Sequence, residues 1–295
     1  MNTEKVYKYP VFASLLALVI AVPIRIFQYF SILDPETGFF NEINVSVYIM
    51  YFVLAVAGIF SIAVPLINRK KIQTVSVCKK SVGFLIVSLI MAVTVVIDCA
   101  NTLLTYFDLY SEATGFAMSV KEYVQSQGGT LLLLQAIFGG ITAIFFFING
   151  LAVGVGNSDG SKFKLLALVP TLWTMFRLLY RFKRTISFVN VSDLLFELFM
   201  IVFMMLYFLS FAQVISKIDA STVFYKTISY GLPAVMFAGL CFIPRFILTV
   251  IGKTELLCTH YTVNYSDFGF MVFAMYNFIT RIKSKAPDTE IQNEE

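Results

Sequence analysis

The sequence predicts an all-α, polytopic transmembrane helix bundle of about eight spans, and three observations carry that prediction. Of the 295 residues, 58% are hydrophobic and only 14% are charged, against about 45–50% and about 25% in soluble domains. Mean hydropathy is +0.81. The apolar residues gather into eight runs near the length of about 20 residues that a spanning helix needs. Eight runs of about 22 residues occupy roughly 176 positions, so the remaining loops are too short for a soluble catalytic domain.

The first run, about Tyr9 to Leu33, follows a short polar start with Lys5 and Lys8. It is too long for a signal-peptide core and lacks a small-residue cleavage site, so it reads as a retained first helix. The second runs from Val45 to Ile67, the third from Ser81 to Tyr106 and the fourth from Thr130 to Val153. In the fourth, Gly150 and Gly154 form a Gly-x-x-x-Gly step suited to close helix packing. The fifth, about Leu165 to Tyr180, and the sixth, Ser192 to Ser216, are joined by a short turn and are therefore expected to be antiparallel neighbours. The seventh runs from Ile228 to Ile251. The eighth, about Asp267 to Ile282, is short for a span and alternatively reads as an aromatic helix lying in the membrane interface. Residues 1–282 thus form one transmembrane domain. The polar end, residues 283–295 with Pro287, Asp288 and Glu290, reads as a disordered cytoplasmic tail.

Basic residues set the expected orientation, because Lys and Arg are retained on the cytoplasmic side. With eight spans, fourteen of the 22 Lys and Arg fall on the N-terminal side of the membrane, and Lys121, Lys183, Arg184 and Lys253 fall on the other. Both termini are therefore expected inside. The dissenting element is the basic run Arg181, Lys183 and Arg184 after a short fifth helix; a re-entrant hairpin there would flip the later spans.

Several function classes find little support. A net charge of +4, scattered along the chain, does not suggest nucleic acid. Cys78, Cys99, Cys241 and Cys258 share no close spacing, so neither a metal site nor a disulfide framework is indicated. The single histidine, His260, has no partner in a metal or catalytic motif, and the glycine-rich stretch Gly154 to Gly160 lacks the strand and the Lys-Ser/Thr ending of a phosphate loop. No cofactor is expected and an enzyme is disfavoured. The sequons at Asn44, Asn190 and Asn264 matter only in a eukaryotic secretory pathway.

Ionisable residues within spans offer the best functional lead, since a charge in hydrocarbon usually sits in a polar cavity or a pair. Arg25, Asp98, Arg177, Glu197 and Arg245 lie on five different runs, all in the outer half of the membrane under the expected topology. Gln28 is one turn from Arg25, and Asn101 is three residues from Asp98 on a similar face. Three guanidiniums facing two carboxylates suit a carboxylate or phosphate ligand. The competing reading makes Arg25 with Asp98, or Arg177 with Glu197, plain inter-helix ion pairs, with Arg177 or Arg245 snorkelling to headgroups. Arg177 and Arg181 are four apart, as are Asp193 and Glu197, so cross-pairing of those two faces is geometrically easy. Pro23 near Arg25 and Pro244 beside Arg245 suggest kinked, polar-lined helices of the kind that line transporter sites.

The string Asp34-Pro35-Glu36-Thr37-Gly38-Phe39-Phe40 is a compact turn whose phenylalanines suit the membrane interface. Its carboxylates, with Glu42, are placed to gate or neutralise the arginines. Together with Arg25 and Gln28 this string resembles the N-terminal hairpin of uncharacterised multi-spanning membrane proteins of anaerobic Gram-positive bacteria. The resemblance covers about the first 45 residues and implies a bacterial plasma membrane but no activity. The leading expectation is a small permease or binding component for an anionic or zwitterionic solute or a lipid headgroup. The alternative is a non-transporting sensor or assembly partner, its charges structural and its inner basic loop, Arg69 to Lys80, contacting membrane lipids or a partner subunit. A lipid-modifying membrane enzyme is a third.

Overall fold

The computed structural model describes residues 3–42, 44–69, 81–113, 119–156, 164–184, 191–216, 218, 220–257 and 263–283. The basic stretch 70–80, Asn190, Cys258, His260 and the tail from 284 onward lie outside the described residues. Nine α-helices are described: α1 (Thr3–Ser31), α2 (Val45–Ile67), α3 (Val82–Ala113), α4 (Val120–Ser126), α5 (Gly129–Val155), α6 (Val169–Arg184), α7 (Val191–Ile215), α8 (Ala220–Val250) and α9 (Tyr265–Lys283). The β-structure among the described residues is one isolated antiparallel bridge between Leu33 and Phe40.

Six helices, α1, α2, α3, α5, α7 and α8, are long and apolar enough to cross a membrane. Six of the expected runs fall on these helices and α2 coincides with its run, whereas α3 continues past the expected Tyr106 to Ala113. The short α4 was not anticipated: Ser119 caps it by accepting a hydrogen bond from the Glu122 N–H. The helix α8 begins eight residues before the expected run, at Ala220, which puts Pro233 in its interior rather than near its end. Both α1 and α8 continue unbroken through their prolines, Pro10 and Pro23 in one and Pro233 and Pro244 in the other.

Helices α3, α5, α6, α7, α8 and α9 form a closed ring of neighbours, and α1 and α2 pack on the outside of α8. The ring is filled by aromatic side chains. Phe146 of α5 meets Phe208 of α7 at 5.9 Å and Phe273 of α9 at 5.0 Å, and Phe208 meets Phe270 of α9 at 5.5 Å between ring centroids. These are separations at which edge-on aromatic pairs are favourable. Phe270, Phe273 and Ala274 are fully buried, so α9 packs one face into the core of the bundle. Ser266, Phe270, Phe273, Ala274, Asn277 and Phe278 share that buried face, Phe268 and Ile279 are exposed on the other, and α9 is not among the six helices long and apolar enough to cross a membrane.

Glycines set the close approach of α3 and α5. A Cβ at Gly150 would lie 2.8 Å from Ser88 Cβ, and one at Gly154 would lie 3.2 Å from Leu85. The Gly-x-x-x-Gly step thus serves as a packing surface.

Candidate functional site

The five intramembrane charges gather at one end of the bundle, where the expected pairing of Arg177 with Glu197 is found and that of Arg25 with Asp98 is not. Arg25 of α1 pairs with Asp193 at the start of α7, donates to Ser192 Oγ at 3.2 Å and to Gln28 Oε1 at 2.9 Å. Tyr29 donates its hydroxyl to the other Asp193 oxygen at 2.7 Å. The rings of Tyr29, Phe196 and Phe40 surround the guanidinium, with centroids 4.9, 5.5 and 5.9 Å from it, in cation–π range. Arg25 and Gln28 share a face one turn apart, which is why a single helix supplies both.

A second group is centred on Glu197, one turn after Asp193. Arg181 contacts Glu197 Oε1 through Nε at 2.9 Å and Nη2 at 2.8 Å. Arg177 Nη2 lies 3.6 Å from the same oxygen, and Arg245 Nη1 lies 3.7 Å from Oε2. One carboxylate therefore ties α6, α7 and α8 together. Arg177 also forms a two-toothed bridge to Asp267 of α9, at 2.6 and 3.1 Å, the fork geometry in which guanidinium is strongest.

The third group is the start of α9. Asp98 of α3 accepts the backbone N–H of Tyr265 at 2.9 Å and of Ser266 at 2.8 Å. Its negative charge thus satisfies donors that a helix N-terminus leaves open and complements the helix dipole. The expected pairing of Arg25 with Asp98 is not found, because Asp193 holds the arginine and the start of α9 occupies the carboxylate. Asn101 also falls outside the cluster: it is exposed. Three residues of helix rotate it away from the buried stripe that carries Met91, Val95 and Asp98.

Counted together, the network holds the buried Arg25, Arg177 and Arg245 and the half-buried Arg181 against the buried Asp98, Asp193, Glu197 and Asp267. The sequence count, three cations against two anions, missed Asp267 because it opens the eighth run, and set Asp193 and Arg181 at helix boundaries. The spacing of four between Asp193 and Glu197 was the available signal for one of them. Gln28 and Glu197 are fully buried, and Gln28 Nε2 and Glu197 Oε2 have no hydrogen-bond partner among the described residues.

The loop after α1 covers this end with an aromatic ring, not with carboxylates. Asp34 accepts from Thr37 Oγ1 at 2.6 Å and from the Glu36 N–H at 3.1 Å, and Gly38 takes φ of 67°, where a side chain would strain the turn. Glu36 and Glu42 are exposed. It is Phe40, held by the Leu33 bridge, that reaches Arg25. Of the sequons, Asn44 caps α2 by accepting the Ser46 N–H at 3.1 Å.

Compared with protein-family models, curated proteins and solved structures, the chain matches none. The class that fold and site define is an α-helical, multi-pass membrane protein with an ion network inside its helix bundle.

Proposed function

We propose that the protein is a non-transporting membrane component, a sensor or assembly partner, whose intramembrane charges lock the helices in register. The observation that carries this reading is the balance of the network, in which four arginines stand with four carboxylates and each group is engaged with another helix, Asp98 through the backbone N–H groups that open α9. A solute site for an anion calls for an excess of positive charge and an open approach, whereas seven of these eight groups are buried, Arg181 is half-buried, and the charges are balanced within the fold. On this reading α6 and α9 complete eight spans, which puts both termini on one side. The bias of basic residues makes that side the cytoplasm, and the N-terminal resemblance favours a bacterial plasma membrane.

The test is thermal unfolding of the purified protein in nanodiscs with a panel of small carboxylates, phosphates and amino acids. No solute is expected to raise the midpoint. A true site ligand at about 100 times its Kd would add about 2.7 kcal/mol. Stabilisation of that size, lost in Arg245→Gln, would replace this reading with the permease. The permease has one observation of its own, the unused polar capacity of Gln28 Nε2 and Glu197 Oε2.

A further inference from the structure

We propose that the lateral cleft between α2 and α7 is a binding site for one acyl chain of a membrane phospholipid. The cleft encloses about 320 Å³. Its walls are α2 and α7 and its floor is α8, all three long and apolar enough to cross a membrane. Two small residues on α2, Ala55 and Gly58, make the hollow, and a Cβ at Gly58 would meet only Met236 Cε, at 3.8 Å. The opposite wall is pre-set, because Phe199 and Phe203 of α7 stack on Phe237 of α8 with centroids 5.7 and 6.3 Å apart.

The occupant follows from where the cleft opens. Its rim residues Ile59 and Phe199 are 68% and 45% exposed, and α2 is the least buried of the six long helices. The hollow is therefore continuous with the lipid-facing surface, where the surrounding medium is hydrocarbon. From Tyr51 to Ile62 it follows eleven residues of α2, about 16 Å at 1.5 Å per residue. That is about half of a hydrocarbon core of about 30 Å, the length of one chain in one leaflet. Tyr51 supplies the one hydroxyl of the lining, at the end where Phe196 joins the cleft to Arg25.

The full chain, in nanodiscs of phosphatidylcholine carrying a photoreactive diazirine on one acyl chain, is irradiated and its adducts are mapped by mass spectrometry. Adducts are expected to concentrate on α2 from Ala55 to Ile62 and on α7 from Phe199 to Phe203. Labelling there should exceed that of Val19 and Ile144, which face outward on α1 and α5. Gly58→Leu fills the cleft and should lower its labelling to the level of Val19 and Ile144, because the side chain takes the space of the acyl chain and its packing contacts are lost. Val19 and Ile144 should be unaffected, Gly58→Ala should keep the adducts, and Ala55→Leu is a second blocking variant should Gly58→Leu fail to fold. Cleft labelling no higher than at Val19 and Ile144 would overturn the proposal, as would equal labelling in both blocking variants. Cleft labelling that falls, while that of Val19 and Ile144 does not, as the protein-to-lipid ratio is raised would also overturn it, by giving the site a protein occupant.

Discussion

Glu197 is the carboxylate on which the most guanidiniums converge, since one fully buried side chain answers Arg181, Arg177 and Arg245. Removing one partner from a buried ion pair leaves an uncompensated charge, which costs about 3–5 kcal/mol. Glu197→Gln is therefore expected to lower the thermal unfolding midpoint strongly, with helicity by circular dichroism as the reporter. A more discriminating case is Arg25 with Asp193. Arg25→Met and Asp193→Leu should each destabilise by a similar amount, and the double variant should recover most of the loss, because two apolar groups of comparable size leave no orphan charge. A double variant as unstable as the sum of the singles would show that the pair is not coupled. Outside the spans, hydrogen bonds from Thr37 and from the Glu36 N–H hold the Asp34 carboxyl below its ordinary value of 3.8. A group depressed in the folded state contributes order above its unfolded pKa and loses that contribution as pH falls through the folded value. Amide exchange at Glu36 and Gly38 should thus quicken, relative to the intrinsic rate, only below about pH 4. In Asp34→Ala the exchange should be fast throughout.

At the level of elements, adjacent glycines of α5 should behave oppositely. A Cβ at Gly139 would collide with Cys99 Sγ and lie 3.1 Å from Trp173 Nε1, whereas one at Gly140 meets nothing within 4 Å. Gly139→Ala is expected to cost about 1–3 kcal/mol by overpacking the junction of α3, α5 and α6. Gly140→Ala should be neutral or stabilising by up to about 1 kcal/mol, since alanine is the better helix former. Unfolding midpoints of the two variants decide the matter, and equal effects would place the packing seam elsewhere. The glycine-rich composition of this helix was visible in the sequence. Which glycine faces a neighbour was not, because rotation about a helix in an apolar bundle leaves little trace in a run that is apolar on every side.

For the molecule as a whole, the network joins α1, α3, α6, α7, α8 and α9 at one end, above the aromatic filling of the ring. Charges so buried are screened little by salt. The unfolding midpoint in nanodiscs is expected to stay unchanged as sodium chloride rises from about 0.1 M to about 1 M, over which the Debye length falls from about 10 Å to about 3 Å. A steep fall with salt would mean that water and ions reach the network and that the bundle is open there.

Run length and hydropathy alone located the long helices, because hydrocarbon demands about 20 consecutive apolar residues and the backbone must satisfy its own hydrogen bonds within each segment. The same scarcity of charge made Arg25, Asp98, Arg177, Glu197 and Arg245 conspicuous and gave them similar heights. Height is a property of position along a helix, so it can be counted. Partnership depends on the rotation and neighbours of each helix, which only packing decides. Packing sent Arg25 to Asp193, set Asp98 on the start of α9, turned Asn101 outward and drew Asp267 into the network. It also turned one face of α9 into the core and left a cleft where Ala55 and Gly58 face a wall of phenylalanine, because small and large side chains make a hollow only when two helices bring them opposite one another.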